Sequence, residues 1–344
     1  MYSVAILGTG ISAHLMARLC HRSGFDDVSL TTSDGQEPDQ LLAENGPHND
    51  LDTLAASQTR VLFALGLGEA LMDHACLPDR EQVRLAASGY LLSELPLGKF
   101  YQDRYGAPML NIHRTDLAAS IDSGVSADHI DPDTAGLTIN TLPADRSTET
   151  RWRLAYARAE RGKTAANTTW LARRGVVWQV PSRQHDHFYA LLPQDYEWRD
   201  SDWHGSLREI VRQSLPVPAG ILTSAVREHW QEGSFVHIAQ ACYLPGMLVR
   251  ECRWCGFEDA WVLSRMMENY EEDSHAGVSE YVRYRKPRVS KIRRLSDERM
   301  QSYLATKRTS IRNLGIAFRT RFLPEMAMQR IDWLHQYDCI KGFN

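Results

Sequence analysis

The pattern of hydrophobic and polar positions is clearest at the start of the chain. Residues 4–7 form a continuous apolar run, which is typical of a strand that a parallel sheet buries on both faces. After a short turn, apolar residues recur at helical spacing over residues 15–20, and Gly24 ends the helix that this spacing predicts. A second apolar run begins at Val28. The pattern therefore predicts a β-strand, an amphipathic helix and a second, parallel β-strand.

Alternation with a different period marks the middle of the chain. β-Branched and aromatic residues alternate with other residues over residues 170–182 and 187–193, and residues 83–97 continue this pattern. A period of two predicts a second, mainly antiparallel sheet. Residues 279–314 return to helical spacing, and Lys286-Pro287 predicts a break between two helices because a proline disfavours helical geometry in the residue before it.

Composition and charge narrow the class of protein. The 344 residues suffice for one large domain or two medium ones, and 43% hydrophobic and 24% charged residues are typical of a globular protein. The formal net charge of −4 argues against general affinity for nucleic acid or for an anionic membrane. No apolar stretch approaches the ~20 residues of a membrane helix, and the first residues lack the features of a signal peptide. We therefore expect a cytoplasmic protein with neither a nucleic-acid partner nor a membrane span.

The turn after the first strand carries candidate chemistry. Its residues, Gly8-Thr-Gly10-Ile-Ser-Ala13, follow the GxGxxA pattern of dinucleotide-binding βαβ units. Gly8 allows the tight turn, Gly10 lets a pyrophosphate approach the backbone, and Ala13 lets the helix pack closely on the strand. Such a site also uses an acid after the second strand to bind a ribose hydroxyl. Asp34 is the candidate for that role, with a solvated turn residue as the alternative.

Four further segments combine with this turn into a family resemblance. They are residues 59–75, 95–121, 256–267 and 330–339. Together they resemble the single-component FAD-dependent aromatic hydroxylases, a group of flavoprotein monooxygenases similar to salicylate and 3-hydroxybenzoate hydroxylases. The most specific matches are His113-Arg114 with the Asp116-Leu117 that follows, and Glu258-Asp259-Ala260. The order and spacing of the motifs agree over most of the chain, except for roughly residues 122–170.

The resemblance implies an α/β fold. A Rossmann-like FAD-binding-type domain would be interleaved with a mainly antiparallel β-sheet substrate domain and followed by C-terminal helices. The first domain is expected to comprise three segments, residues 1–76, 105–165 and 226–296. The substrate sheet is expected to comprise two segments, residues 77–104 and 166–225, and the C-terminal helices residues 297–344.

The resemblance also implies a chemistry and a set of cofactor contacts. Family members take electrons from NAD(P)H and add one oxygen atom of O2 to a planar ring. Gly8, Gly10 and Ala13 match the first cofactor motif, and Arg114 matches an arginine that contacts the ribityl–phosphate region of FAD. A guanidinium suits that role because it can bind a phosphate through two hydrogen bonds. The alternative is that Arg114 caps the helix that begins near Asp116.

The other cofactor motifs of the family are altered in this chain. In this chain Asp145-Arg146 stands where the family has Asp-Gly, Ala239-Gln240 where it has Gly-Asp, and Tyr243-Leu244 where it has His-Pro. Met247 stands where the family has a proline beside the flavin ring, and Cys252 stands where it has a glycine under that ring. Asp145 and Gln240 remain candidate cofactor contacts. Side chains at former glycines fill space, and Gln240 lacks the charge of an aspartate. At about 1–3 kcal/mol per change, four changes would weaken FAD binding by several powers of ten.

Two pairs of residues are weak candidates for catalysis. All six cysteines are expected to be reduced thiols, and Cys252 and Cys255 form a CxxC pair before a predicted helix. They could be a redox dithiol, and packing of two small apolar side chains is the alternative. His185 and His187 would share one face of a strand and could act in acid–base chemistry, or they could be ordinary strand residues. No spacing of these residues indicates a metal site.

Aromatic and apolar residues of the second sheet are candidates for the walls of a substrate pocket, with ordinary core packing as the alternative. They are Trp170, Trp178, Phe188, Tyr189, Leu191, Tyr243 and Met247. The basic run over residues 146–163 could steer an anion, but a solvated helix or loop is the simpler interpretation.

Three functions stay open from the sequence. The first is a protein of this family that acts on a small planar aromatic or conjugated metabolite in a biosynthetic pathway, with an eroded FAD site and non-redox chemistry such as cyclisation, isomerisation or dehydration. The second is a working FAD- and NAD(P)H-dependent aromatic monooxygenase, which alone would need NAD(P)H as a partner. The third is a non-catalytic partner subunit of a true hydroxylase. A homodimer is left open.

Overall fold

The computed structural model describes most of the chain. The described residues are 2–8, 10–31, 51–121, 130–142, 152–217, 225–244, 250, 252–304, 315 and 324–343. Three of the sequence-based candidates, Asp34, Asp145 and Met247, lie outside them.

The described strands, in chain order, are β1 (Val4–Leu7), β2 (Val28–Thr31), β3 (Leu51–Leu54), β4 (Arg80–Leu85), β5 (Leu91–Pro96), β6 (Leu110–His113), β7 (Leu137–Asn140), β8 (Trp152–Glu160), β9 (Ala166–Ala172), β10 (Gly175–Pro181), β11 (His185–Pro193), β12 (Leu215–Val217), β13 (Ala225–Val226), β14 (Gln231–Glu232), β15 (Phe235–His237) and β16 (Tyr243–Leu244). The described α-helices are α1 (Ile11–Arg22), α2 (Ala56–Ala64), α3 (Gly68–His74), α4 (Gly98–Tyr105), α5 (Arg114–Ile121), α6 (Gly205–Arg212), α7 (Gly256–Asn269), α8 (Ser274–Tyr303) and α9 (Pro324–His335). Short 3-10 turns lie at Asp200–Asp202, Ala239–Ala241 and Lys341–Phe343.

The first sheet is the predicted Rossmann-like layer. Its order is β14-β15-β7-β1-β2, with β15, β7, β1 and β2 parallel and β14 antiparallel at one edge. Its interior strand β1 is almost fully buried, as its continuous apolar run predicts. Helix α1 packs against this sheet through Leu15, Met16, Leu19 and Cys20, all at most 1% exposed. The βαβ unit predicted from the first residues is confirmed.

The second sheet is larger and mainly antiparallel, as predicted. Its order is β12-β8-β11-β10-β9-β4-β5, and only the β4–β9 pair among these strands runs parallel. One face packs around Trp178 and Tyr189, and the other packs around Phe188 and α6. The two small sheets β3-β6 and β13-β16 complete the pairing in the described residues.

Two local predictions differ from the structure. Residues 152–160, expected as a solvated helix or loop in the first domain, form β8 and pair along their whole length with β11, because Leu154 and Ala155 are buried on opposite faces of the second sheet.

Helix α8 also runs unbroken through Pro287. Residues on both sides of the proline, Tyr281 and Ile292 among them, are buried against the rest of the protein, and this packing outweighs the ~3 kcal/mol that an internal proline costs.

Candidate functional site

The glycine-rich turn between β1 and α1 keeps the geometry of a dinucleotide site. Gly8 has a φ of +120°, and a Cβ there would lie 2.2 Å from Thr141 Oγ1, so a larger residue is excluded on two grounds. A Cβ at Gly10 would meet no heavy atom within 4 Å, so the backbone there is open to a ligand. Ala13 is fully buried against the sheet. The turn leaves room for a phosphate beside the first turn of α1.

Arg114 binds an internal carboxylate. Its Nε and Nη2 donate to the two carboxylate oxygens of Asp52, at 3.1 and 3.4 Å, and its guanidinium lies 5.7 Å from the ring centre of Trp254. Arg253 approaches the same carboxylate at 3.4 Å. Burial alone would raise the pKa of Asp52, but the surrounding guanidiniums outweigh it and hold that pKa below its usual range. Arg114 is 7% exposed and Asp52 is 1% exposed, so the pair is part of the interior.

Arg250 extends this cluster to the second sheet. Its Nη2 donates to the carbonyl oxygen of Leu51 at 3.0 Å, and its Cζ lies 4.3 Å from the ring centre of Tyr189 in β11. Arg250 therefore connects the turn before α7 to strand β3 and to strand β11 of the second sheet. The motif comparison identified Cys252 in this turn but missed Arg250, Arg253 and Asp52, because Asp52 is far in sequence from both arginines.

The Ala239-Gln240 turn has a backbone geometry that favours glycine. Ala239 has a φ of +52°, a left-handed geometry that costs about 1 kcal/mol or more for a residue with a Cβ. Its amide donates to Asp259 Oδ2 at 3.1 Å, which helps to hold it in place. Gly256 faces this turn, and a Cβ added at Gly256 would lie 2.5 Å from the Cβ of Ala239. Gln240 is half-buried in the turn.

Glu258 and Asp259, the acidic pair of the Glu258-Asp259-Ala260 match, have a structural role. Glu258 forms ion pairs with Arg285 at 2.8 Å and with Arg288 at 2.7 Å, and Asp259 pairs with Arg285 at 2.6 Å. Burial disfavours the charge of Glu258, but the two arginines lower its pKa to about 2. These two acids therefore connect α7 to α8. Sequence comparison identified the acids but not their arginine partners.

The two cysteine candidates are packed in the core. Cys252 and Cys255 are at most 1% exposed, and the Sγ of Cys255 accepts a hydrogen bond from Gln58 Nε2 at 3.6 Å. All six cysteines lie in the described residues and none forms a disulfide. Burial of this kind favours the packing interpretation over a reactive dithiol, which would need access to its substrate.

The two histidine candidates lie together, but only His187 is buried. His187 Nδ1 is 2.9 Å from the Tyr156 hydroxyl and its Nε2 is 3.2 Å from Ser182 Oγ. Burial, followed by the neighbouring histidines and arginines, lowers the pKa of His187 to about 3. The ring is therefore neutral near pH 7 and bonded on both nitrogens. His185 is half-buried, 6.5 Å from His187 between ring centres.

A cavity of about 60 Å³ lies between the second sheet and the C-terminal helices. Its lining includes Trp178 and Asn167 from the sheet, Arg250 from the turn, Tyr303 from α8 and His335 from α9.

The candidate pocket residues divide between several environments. Tyr189 and Leu191 share the inner face of the sheet and a core cluster with Trp178, which lines the cavity. Phe188 and Trp170 pack on the opposite face and do not line the cavity, because neighbouring residues of a strand point to opposite sides. Tyr243 is buried in the first domain, where it stacks on Trp230.

FAD fits one end of this site and not the other. The open Gly10 turn has the space that a pyrophosphate needs. Arg114, which the resemblance assigns to the ribityl–phosphate region, is bound by the buried carboxylate of Asp52. At that position the guanidinium therefore has an anionic partner within the protein.

The known proteins that resemble this chain in sequence and the solved structures that resemble it in fold include aromatic-ring monooxygenases. No protein-family model matches the chain. The 3-amino-4-hydroxybenzoate 2-monooxygenase PtnB3 of Streptomyces platensis is 24% identical over 361 aligned positions, which cover 86% of this chain and 87% of the relative. The structure of Klebsiella pneumoniae HpxO in complex with FAD and uric acid matches with a TM-score of 0.76 and 14% identity, over 95% of each chain. A salicylate hydroxylase substrate complex matches with a TM-score of 0.69 and 14% identity, over 98% of this chain and 96% of the other.

The fold is thus that of the flavoprotein monooxygenases, with a Rossmann-like layer, a second sheet and C-terminal helices. The predicted resemblance to the FAD-dependent aromatic hydroxylases is confirmed by these relatives and structures. None of the described helices is both long and apolar enough to cross a bilayer. The described residues contain no cluster of three His, Cys, Asp or Glu side chains placed to hold a metal ion.

Proposed function

We propose that the chain is a flavin-monooxygenase-like enzyme that acts on a small planar aromatic or conjugated metabolite and does not hold FAD in the usual way. The observation that carries the proposal is the buried pairing of Arg114 with Asp52. In this arrangement the cofactor's expected cationic contact is neutralised inside the protein. A non-redox conversion such as cyclisation, isomerisation or dehydration is the chemistry we propose, as a step of a biosynthetic pathway.

The relatives support the class of ligand. They include a monooxygenase of 3-amino-4-hydroxybenzoate, and HpxO was solved with uric acid. Both ligands are small planar rings. The cavity between the second sheet and the C-terminal helices carries aromatic surface from Trp178 and Tyr303 and a cation from Arg250, which suits a ligand of that kind.

The first experiment is a visible absorption spectrum of the purified protein before and after addition of excess FAD, followed by desalting. We expect no flavin bands to remain with the protein. Flavin that co-purifies, or that stays bound through desalting, would contradict the FAD-independent proposal. The test of the enzymatic part is incubation with candidate planar metabolites without NAD(P)H, with product detection by mass spectrometry.

A second function is favoured by the open turn at Gly10, which still has room for a pyrophosphate. It is FAD- and NAD(P)H-dependent hydroxylation of an aromatic ring, with cofactor contacts rebuilt from backbone amides. Oxidation of NADH or NADPH that phenolic acids stimulate would support it.

Gly10→Ala separates these two functions. A Cβ at this position meets no protein atom, so the free energy of unfolding should change by less than about 1 kcal/mol. The same methyl group would obstruct a phosphate at the turn. If the protein uses FAD there, the variant loses flavin binding and NAD(P)H oxidation while remaining folded; if it does not, the variant keeps full activity.

A further inference from the structure

We propose that strand β8 pairs with the same strand of a second copy of this chain, so that two second sheets join edge to edge in a symmetric dimer. The contact is the stretch 157–160 of β8, and its charges allow one register of the two strands. The proposal concerns an outer edge of the second sheet, so it goes beyond the proposed function and does not depend on the chemistry of the cavity.

The free edge of β8 is the first observation. Strand β11 pairs with all of residues 152–160 on one side of β8, whereas β12 pairs only with residues 154–156 on the other side. Among the described strands, none pairs with residues 157–160 on that second side. The N–H and C=O groups of an open edge are a template for a further strand. Strand β12 is a poorer template, because Pro216 has no N–H to donate.

The charged side chains along this edge are the second observation. Arg158 and Glu160 are exposed and lie on one face of β8, two positions apart. Neither forms an ion pair within the part of the chain that the structure describes. Charged side chains commonly protect an open edge against pairing. Here the two charges have opposite signs, so they oppose pairing in some registers and favour it in another.

A two-fold axis leaves few registers for this contact. Opposed pairs alternate between two kinds in an antiparallel ladder, so the axis must place one residue directly opposite its own copy. Arg158 or Glu160 at the axis would bring two like charges together, which is destabilising. Ala157 at the axis would place Arg158 opposite Tyr156, where β12 already pairs. Ala159 at the axis places each Arg158 opposite the Glu160 of the other copy, and opposite charges stabilise such a pair.

Leu215 beside this edge is the third observation. It is 58% exposed, the highest fraction among the exposed large apolar residues that the structure describes. It pairs with Tyr156 and therefore lies where the free edge of β8 begins. In the register centred on Ala159, the chain of the other copy ends its strand next to this position. A second copy would thus cover part of the Leu215 side chain, and burial of apolar surface favours association.

The first test exchanges the two charges. Sedimentation velocity at low ionic strength, over a ~100-fold range of concentration, measures dimer dissociation constants for the native protein, Arg158→Glu and Glu160→Arg. We expect the native protein to dimerise, and we expect either variant to raise the dissociation constant by about 10-fold or more, because like charges then face each other. The control Arg294→Glu makes the same change of charge at an exposed position of α8 and should dimerise like the native protein.

A mixture of the two single variants distinguishes a contact between copies from a structural effect within one copy. Arg158→Glu leaves two acids at the edge and Glu160→Arg leaves two bases, so each variant repels itself and attracts the other. We expect the mixture to dimerise where neither variant does alone. A mixture that stays monomeric would overturn the proposal. Native protein that is monomeric at every concentration, or single variants that dimerise as the native protein does, would overturn it as well.

A cysteine at the axis tests the contact without a change of charge. All six native cysteines are buried, so they should not compete for the oxidant. Residues directly opposite each other in an antiparallel pair have Cα atoms about 4.5–5.5 Å apart, which a disulfide can span. We expect oxidised glutathione to link Ala159→Cys into a covalent dimer on a non-reducing gel. The control Ala155→Cys lies on the same face of β8, beside β12, and should remain a single chain.

The cysteine variants keep the proposal open to refutation even if the charge variants do not fold. Absence of a covalent dimer in Ala159→Cys, or equal linking of Ala159→Cys and Ala155→Cys, would show that β8 is not the contact between copies.

Discussion

Asp52 decides at the scale of one residue what Arg114 is able to bind. A buried guanidinium needs an anion, and a protein can obtain it from a ligand or from its own chain. Here the carboxylate of Asp52 forms ion pairs with both Arg114 and Arg253, at 3.1 and 3.4 Å. Arg114, which the sequence resemblance assigns to the cofactor, is thus part of an internal ion-pair network.

Removal of this carboxylate should be strongly destabilising. In Asp52→Asn the buried guanidiniums lose their common anion, and we expect the free energy of unfolding to fall by about 3–5 kcal/mol. Urea denaturation followed by circular dichroism measures the change. Asp27→Asn, at an exposed position, is the control and should differ little from the native protein. A loss below about 1 kcal/mol for Asp52→Asn would show that the cluster is not held by this charge.

His187 should stay neutral throughout the physiological range. Because burial lowers its pKa to about 3, its ring proton resonances should not titrate between pH 8 and pH 5 in NMR spectra. The unfolded chain binds a proton near pH 6.5 while the folded state does not, so this group contributes a stability that rises with pH between about 3 and ~6.5. A titration midpoint near 6.5 would restore His187 as an acid–base candidate.

At the scale of elements, α7 and α8 are joined by charge as well as by apolar packing. Glu258 on α7 faces Arg285 and Arg288 on α8, all nearly or fully buried. The same helix α8 runs without a break through Pro287, which lies between these two arginines in sequence. Its position is therefore set by what it contacts rather than by its local sequence.

Glu258→Gln tests the contribution of this pairing. We expect a loss of about 3–5 kcal/mol at pH 7, because two buried guanidiniums lose a carboxylate. The pKa of Glu258 is depressed to about 2 in the folded state, so its contribution is fully present above pH ~4.5 and is lost as the pH falls toward 2. The difference in unfolding free energy between native and variant protein should therefore shrink over that range. The control Glu280→Gln breaks an exposed pair with Arg283 on α8 and should change stability little at any pH.

At the scale of the whole molecule, a buried polar network joins the two halves. Asn111 in β6 accepts a hydrogen bond from Thr53 and donates to Asn167 of β9 and to the carbonyl oxygen of Pro181 at the end of β10. Together with Arg250 on Leu51, it fixes how the second sheet lies against the first domain. The cavity lies at this junction, so its shape depends on these contacts.

Asn111→Leu should therefore weaken the whole molecule. Three polar groups lose their partner, and we expect a decrease of roughly 2–4 kcal/mol in the free energy of unfolding. Asn269→Leu, at an exposed position of α7, is the matched control. Normal stability in Asn111→Leu would mean that apolar packing alone holds the two sheets together.

Local pattern determined much of the fold of this protein. The apolar run of β1, the glycines of its turn and the spacing of α1 specify a βαβ unit, because these features act over a few neighbouring residues. Alternation likewise predicted the second, mainly antiparallel sheet, and the motif matches indicated the family. The resemblance also predicts which cofactor positions have changed.

Only the tertiary structure decided what those changes mean. Asp52 meets Arg114 and Arg253 across 62 and 201 positions of sequence, and Arg250 meets Tyr189 across the junction of two sheets. Strand β8 and the continuity of α8 through Pro287 were likewise set by partners distant in sequence. Burial and electrostatics are properties of such assembled neighbourhoods. The residues themselves are compatible with several functions, and our proposal among them rests on the contact of Arg114 with Asp52.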